Sequence, residues 1–122
     1  MNILQSWKGD YAPKIMNALE IDFAIYGNKE FDHGVEKMTE LISKTNFSWI
    51  SSNLFDIKTN SLVGQRRNSK NELTVVPYKI FNHKLSTRST VKVGIFGLGL
   101  SIFETFIFEQ IFWFKNDRTI IK

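Results

Sequence analysis

Phe23-Ala24-Ile25-Tyr26 is an apolar run that ends at a glycine and opens onto a stretch crowded with groups able to bind or titrate. A near-continuous apolar run of this kind is the pattern of a strand covered on both faces. Gly27 lets the backbone turn, and Asn28, Lys29, Glu30, Asp32 and His33 follow at once. Gly34 then precedes an amphipathic segment, residues 34–45, whose apolar stripe is Val35, Met38, Leu41 and Ile42. Strand, polar loop and helix in that order predict an α/β fold. In open α/β sheets the loop beyond a strand's carboxyl end is the usual ligand position. A plain polar turn ahead of a helix has the same composition, so the residues alone leave a site and a turn both open.

The flanking pattern extends the α/β reading. Asp10 to Glu20 is expected to be a short helix, with Pro13 in its first turn and Ile15, Met16 and Leu19 on one face. Asp10 is expected to cap it. Phe47 to Phe55 is strand-like, and residues 56–73 read as a loop or weak hairpin. Residues 74–84 and 90–98 read as two strands joined by a polar turn, with His83 near that turn. Phe23 to Tyr26, Trp49 to Asn53 and Val91 to Phe96 are expected to lie side by side, with residues 34–45 packed across them. Residues 97–114 are strongly apolar but carry Glu104 and Glu109. That favours an amphipathic or buried helix over a membrane-spanning or membrane-touching one.

Bulk properties narrow the function classes. A chain of 122 residues makes one domain at most, and 43% hydrophobic residues suit a packed core. There is no cysteine, which excludes disulfides and thiolate zinc sites. The net charge of +4 is spread along the chain. Its densest part, residues 65–71, lacks the interleaved aromatics of a base-stacking surface, so no nucleic-acid partner is expected. Met1 to Lys8 lack the apolar core of a signal peptide. Ser48, Ser51 and Ser52 have no adjacent His-Asp pair, so serine hydrolase chemistry is without support.

Residues 27–34, Gly-Asn-Lys-Glu-Phe-Asp-His-Gly, resemble the Gly-Asn-His-Glu-Phe-Asp-x-Gly signature of the 5'-nucleotidase branch of the calcineurin-like metallophosphoesterases. The flanks agree: residues 16–22 before it, residues 47–56 (Phe-Ser-Trp-Ile-Ser-Ser-Asn-Leu-Phe-Asp) after it, and residues 92–98 further on. The likeness covers residues 8–100. It implies a partial metallophosphoesterase domain over residues 1–100, part of a four-layer α/β/β/α sandwich. Residues 101–122 form a divergent apolar tail, as a frameshift or degenerate gene end would leave. Members of the family are often exported, so the missing signal peptide leaves the compartment open.

The activity so implied is metal-dependent hydrolysis of nucleoside phosphates, with a pair of divalent cations (zinc, manganese or similar) as cofactor and a nucleotide or other phosphoester as substrate. Two such cations sit about 3.5–4 Å apart and need several oxygen and nitrogen ligands from separate loops. By the resemblance, Asn28 carries over as a metal ligand, and Lys29 and Asp32 occupy the positions of the catalytic histidine and its aspartate partner. Lys29 can attract a phosphate, but an ammonium group is a poor proton donor at neutral pH. On the residues themselves, Lys29 paired on the surface with Asp32 or Glu30 is the simpler reading, and His33 is a solvated loop residue. No Asp-x-His occurs, and no histidine follows His83. The expectation is therefore a nucleotidase-like fragment, inactive as an isolated chain and unable to hold the metal pair. The alternative is a non-catalytic remnant that associates through its apolar tail.

Overall fold

The computed structural model describes residues 9–99 and 112–114, without the side chains of Asn28 and residues 112–114. Its centre is a small parallel sheet. Phe23–Ala24 (β1) pairs with Ser48–Ile50 (β2), and β2 pairs with Val75–Val76 (β4). The register sets Ala24 beside Trp49 and Trp49 beside Val75. The middle strand, β2, buries both Trp49 and Ile50. That is where a run of large apolar residues gains most from leaving water.

Two helices cover this sheet. Ala12–Ala18 (α1) has Pro13 in its first turn, where no amide donor is lost. Val35–Ser43 (α2) buries Met38 and Ile42 from its apolar stripe. Both helices lie within the expected spans. The cap assigned to Asp10 is corrected: Tyr11 is the N-cap and provides no side-chain bond. The Asp10 carboxylate instead accepts from Lys37 Nζ at 2.7 Å, tying the start of α1 to α2. Asn17 makes the second tie, donating to the Lys44 carbonyl at 3.0 Å and accepting from the Asn46 amide at 2.8 Å. One amide side chain thus satisfies backbone groups left over where α2 ends.

The third neighbour in the sheet is Val75–Val76, and the expectation that residues 91–96 would fill that place is corrected. Pro77 explains why. It has no amide hydrogen to donate, so the strand expected over residues 74–84 breaks there. Beyond it, Tyr78–Lys84 (β5) pairs antiparallel with Thr90–Phe96 (β6), from Tyr78 opposite Phe96 to Lys84 opposite Thr90. A hairpin closes a short loop, which costs less entropy than threading β6 into a distant parallel sheet. His83 therefore sits in a strand opposite Val91, not in the turn. Also corrected is the covered position expected for residues 23–26: β1 is the terminal strand in the order of this sheet, and Ile25 is exposed.

The chain does return to the sheet after β6, at residues 97–99. The Ser52 amide donates to the Gly97 carbonyl at 2.7 Å, and the Gly97 amide donates to Ser52 Oγ at 3.1 Å. Asn53, only 1% exposed, exchanges two bonds of 2.8 Å with the backbone of Gly99. These polar side chains split the strand expected over residues 47–55 into β2 and Leu54–Asp56 (β3). Phe112–Phe114 (β7) pairs antiparallel with β3. The helix expected over residues 97–114 is thus corrected at both described ends, where 97–99 are irregular and 112–114 are strand. Consecutive aromatic residues favour the pleated surface. Residues 100–111 lie outside the described residues.

Asn53→Ala removes both bonds to Gly99 and leaves its amide and carbonyl without partners. A loss of about 2–3 kcal/mol is expected in urea denaturation. Gly97→Ala is expected to cost at least about 2 kcal/mol, typical of overpacking, because a Cβ there would lie 2.6 Å from Ile25 Cγ2 and 2.8 Å from the Ile50 carbonyl oxygen. A change below about 0.5 kcal/mol, the range of neutral surface substitutions, in either variant would refute this account of the corner.

Candidate phosphoester site

The loop between β1 and α2 is held from beneath by aromatic packing. Tyr26, just beyond β1, stacks on Trp49 at 5.9 Å and meets Phe31 edge-on, also at 5.9 Å. Its hydroxyl donates to the Val63 carbonyl at 2.8 Å. Burial pushes the phenol up to about 12, with Ser51 opposing the shift. A short 3-10 helix, Asn28–Phe31, follows. Its start is closed by the Gly27 amide donating to the Glu30 carboxylate at 2.6 Å. At its far side, the Gly34 amide donates to the Phe31 carbonyl at 2.9 Å. Gly34 has φ +86°, a left-handed conformation that glycine adopts without strain, and α2 begins at the next residue.

With Tyr26 and Phe31 packed inward, Lys29 and Glu30 are exposed. Lys29 Nζ lies 3.7 Å from Asp32 Oδ2, and the two side chains are 80% and 53% exposed. So exposed a pair contributes at most about 1 kcal/mol. Glu30 is engaged with the Gly27 backbone and not with Lys29. Asn28 opens the 3-10 helix through its backbone, and its proposed role as a ligand falls on a side chain outside the described residues. Lys29, Asp32 and His33 line one wall of a cleft of about 320 Å³, whose other residues include Met16, Met38 and Trp49. His83 belongs to the hairpin and does not reach this cleft.

Lys37 also lines the cleft, and the sequence reading had not singled it out. Asp10 first, and Glu40 second, hold its ammonium group above the usual lysine range. Glu40 bonds both Lys44 and Lys37, which hold its carboxyl below the usual range. The Glu40–Lys44 pair is visible in the sequence as an i,i+4 spacing. The Asp10–Lys37 pair joins residues far apart in the chain, so no local signal announces it.

Among the described residues no three His, Asp or Glu side chains converge in a way that could hold a metal ion. The donors present at the loop do not fit the several ligands that a pair of divalent cations takes. The loop's outward cation is Lys29, beside the Asp32 carboxylate.

No family model and no curated protein matches this sequence. Among solved structures, the fold matches the calcineurin-like phosphoesterase YfkN from Bacillus subtilis with a TM-score of 0.66 and 20% identity. The match covers 96% of this chain and 37% of that one. The mixed α/β fold is thus that of a calcineurin-like phosphoesterase, and the chain spans little more than a third of the length of YfkN.

The buried phenol makes an alkaline signature. Because its folded-state value is raised to about 12, its stabilising contribution is complete below the unfolded tyrosine value near 10 and is lost as pH rises through 12. Folding stability is therefore expected to fall by about 2–3 kcal/mol across that window. In Tyr26→Phe that component of the fall disappears. Denaturation curves for both proteins from pH 9 to pH 12 measure the difference; identical slopes would disprove it.

Proposed function

We propose that residues 1–100 supply the strand–loop–helix part of a metal-dependent phosphoesterase scaffold of the 5'-nucleotidase kind, whose complete form hydrolyses nucleoside phosphates. One observation carries the reading. The parallel strand β1 delivers its carboxyl end into a loop of the order Gly27, Asn28, Lys29, Glu30, Phe31, Asp32, and that loop stands on a calcineurin-like phosphoesterase fold. In this reading Lys29 attracts the phosphate by charge and Asp32 positions it. Divalent cations would supply activated water in the complete form. The chain's own donors do not meet that requirement among the described residues, so the isolated chain is inactive in our reading.

Lys29 is also the wrong group for proton transfer, a contribution of typically about 10²–10⁴-fold in general acid–base catalysis. The metal deficit is the larger obstacle. Phosphate release from nucleoside monophosphates or an aryl phosphate is accordingly expected to be undetectable, with or without Mn²⁺ or Zn²⁺. Lys29→His alone is expected to stay inactive, whereas the same substitution in a chain extended with a nucleotidase's flanking segments is expected to turn over. Activity of Lys29→His alone would refute the shortage of ligands. Inactivity of the extended chain, if folded and metal-loaded, would overturn the scaffold reading. Calorimetry gives an independent check, since Asn28→Ala is expected to leave metal affinity unchanged in the isolated chain.

A further inference from the structure

The β5–β6 hairpin has two unlike faces. Phe81, Val93 and Ile95 are its partly buried residues, and the Phe81 ring packs on Phe23 at 5.3 Å. Side chains alternate along a strand, so Tyr78, Ile80, Asn82 and Lys84 lie on the opposite face, with Phe96, Gly94, Lys92 and Thr90 directly across from them. On that outer face Tyr78, Ile80 and Phe96 are 60%, 58% and 63% exposed. A Cβ at Gly94, between Ile80 and Phe96, would meet nothing within 4 Å, so the apolar patch opens to solvent. Of the ten large hydrophobic residues exposed among the described residues, six (Tyr78, Ile80, Leu85, Val91, Phe96 and Leu98) belong to the hairpin and its immediate continuation. Scattered surface hydrophobics need no explanation, but a concentration of this kind marks an interaction surface.

Charge decides the partner. Between Glu72 and Glu104 the sequence has no acidic residue, while Lys79, Lys84, Arg88 and Lys92 are all basic. Lys84, Arg88 and Lys92 have no carboxylate partner among the described residues. A face with cations and no carboxylate fits a negatively charged partner. On this face Tyr78, Ile80 and Phe96 gather at one end and are not interleaved with the cations, which offers little for stacked bases and suits acyl chains. Ring and aliphatic groups at one end, with cations on the same face towards the turn, is the chemistry of an interfacial anchor. No helix among the described residues is long and apolar enough to cross a membrane, so the contact is with its surface.

We propose that the outer face of the β5–β6 hairpin docks on an anionic lipid bilayer, with Tyr78, Ile80 and Phe96 entering the headgroup boundary and Lys84 and Lys92 pairing with anionic headgroups. The docking face is separate from the loop at Lys29 and does not depend on the phosphoesterase reading. The test is co-sedimentation of the full chain with vesicles of phosphatidylcholine and phosphatidylserine, alongside phosphatidylcholine alone. Preference for the anionic vesicles, weakening as salt is raised, is the expected result. Combining Tyr78→Ser, Ile80→Ser and Phe96→Ser is expected to lower the partitioning about tenfold or more. Lys84→Gln with Lys92→Gln is expected to lower it by about tenfold on anionic vesicles only. These positions are on the surface, so circular dichroism melts are expected to stay near those of the parent chain. Failure of the parent chain to sediment, or equal binding by the triple-serine chain, would overturn the proposal. So would binding of a labelled single-stranded oligonucleotide, or dimerisation in sedimentation velocity, that the triple substitution abolishes while vesicles are ignored.

Discussion

The Tyr26 ring is the contact on which the rest depends. It sits at the end of β1, stacks on Trp49 of the central strand, meets Phe31 of the following 3-10 helix and bonds the Val63 carbonyl through its hydroxyl. Four parts of the chain converge on one side chain. A buried phenol without that acceptor would carry an unsatisfied donor, so the bond and the stack are needed together. Because the aromatic side of the loop is held down, its polar side is presented to solvent at a defined place.

A second junction, at Ser52 and Asn53, holds the sheet and the hairpin together. Both residues interrupt what would otherwise be one long strand, and both use their side chains to bond backbone of residues 97–99. Gly97 permits the close approach, since any Cβ would strike Ile25 and the Ile50 carbonyl. Polar residues are found in this interior because they satisfy backbone groups there. Their placement also turns the outer face of the hairpin away from the core, which leaves Tyr78 and Phe96 in solvent.

The loop after β1 is held by its structural residues and leaves its charged ones in solvent. Gly27, Glu30 and Gly34 do structural work: a carboxylate accepts an amide at the start, and a left-handed glycine leads into α2. Lys29 and Asp32 face outward as an exposed pair. The loop's conformation rests on Tyr26, Phe31 and backbone bonds, none of which involves the side chain at position 29.

The sequence by itself determined the helices, the opening strand and the polar loop, because these depend on spacing within about a dozen residues: the stripe of Val35, Met38 and Ile42, the proline at Pro13, the apolar run ending at Gly27. It also ordered the residues of the loop, and with them the likeness to the nucleotidase signature. Only the tertiary structure decided which strands meet. Val75–Val76, and not residues 91–96, completes the parallel sheet, because Pro77 breaks one strand and a local hairpin satisfies the next. Only the tertiary structure paired Asp10 with Lys37, Asn17 with the end of α2, and Phe112–Phe114 with β3. The physical reason is the same in each case. Local propensity fixes the shape of a segment, whereas pairing depends on which unsatisfied backbone group or charge is brought within reach when the chain closes on itself.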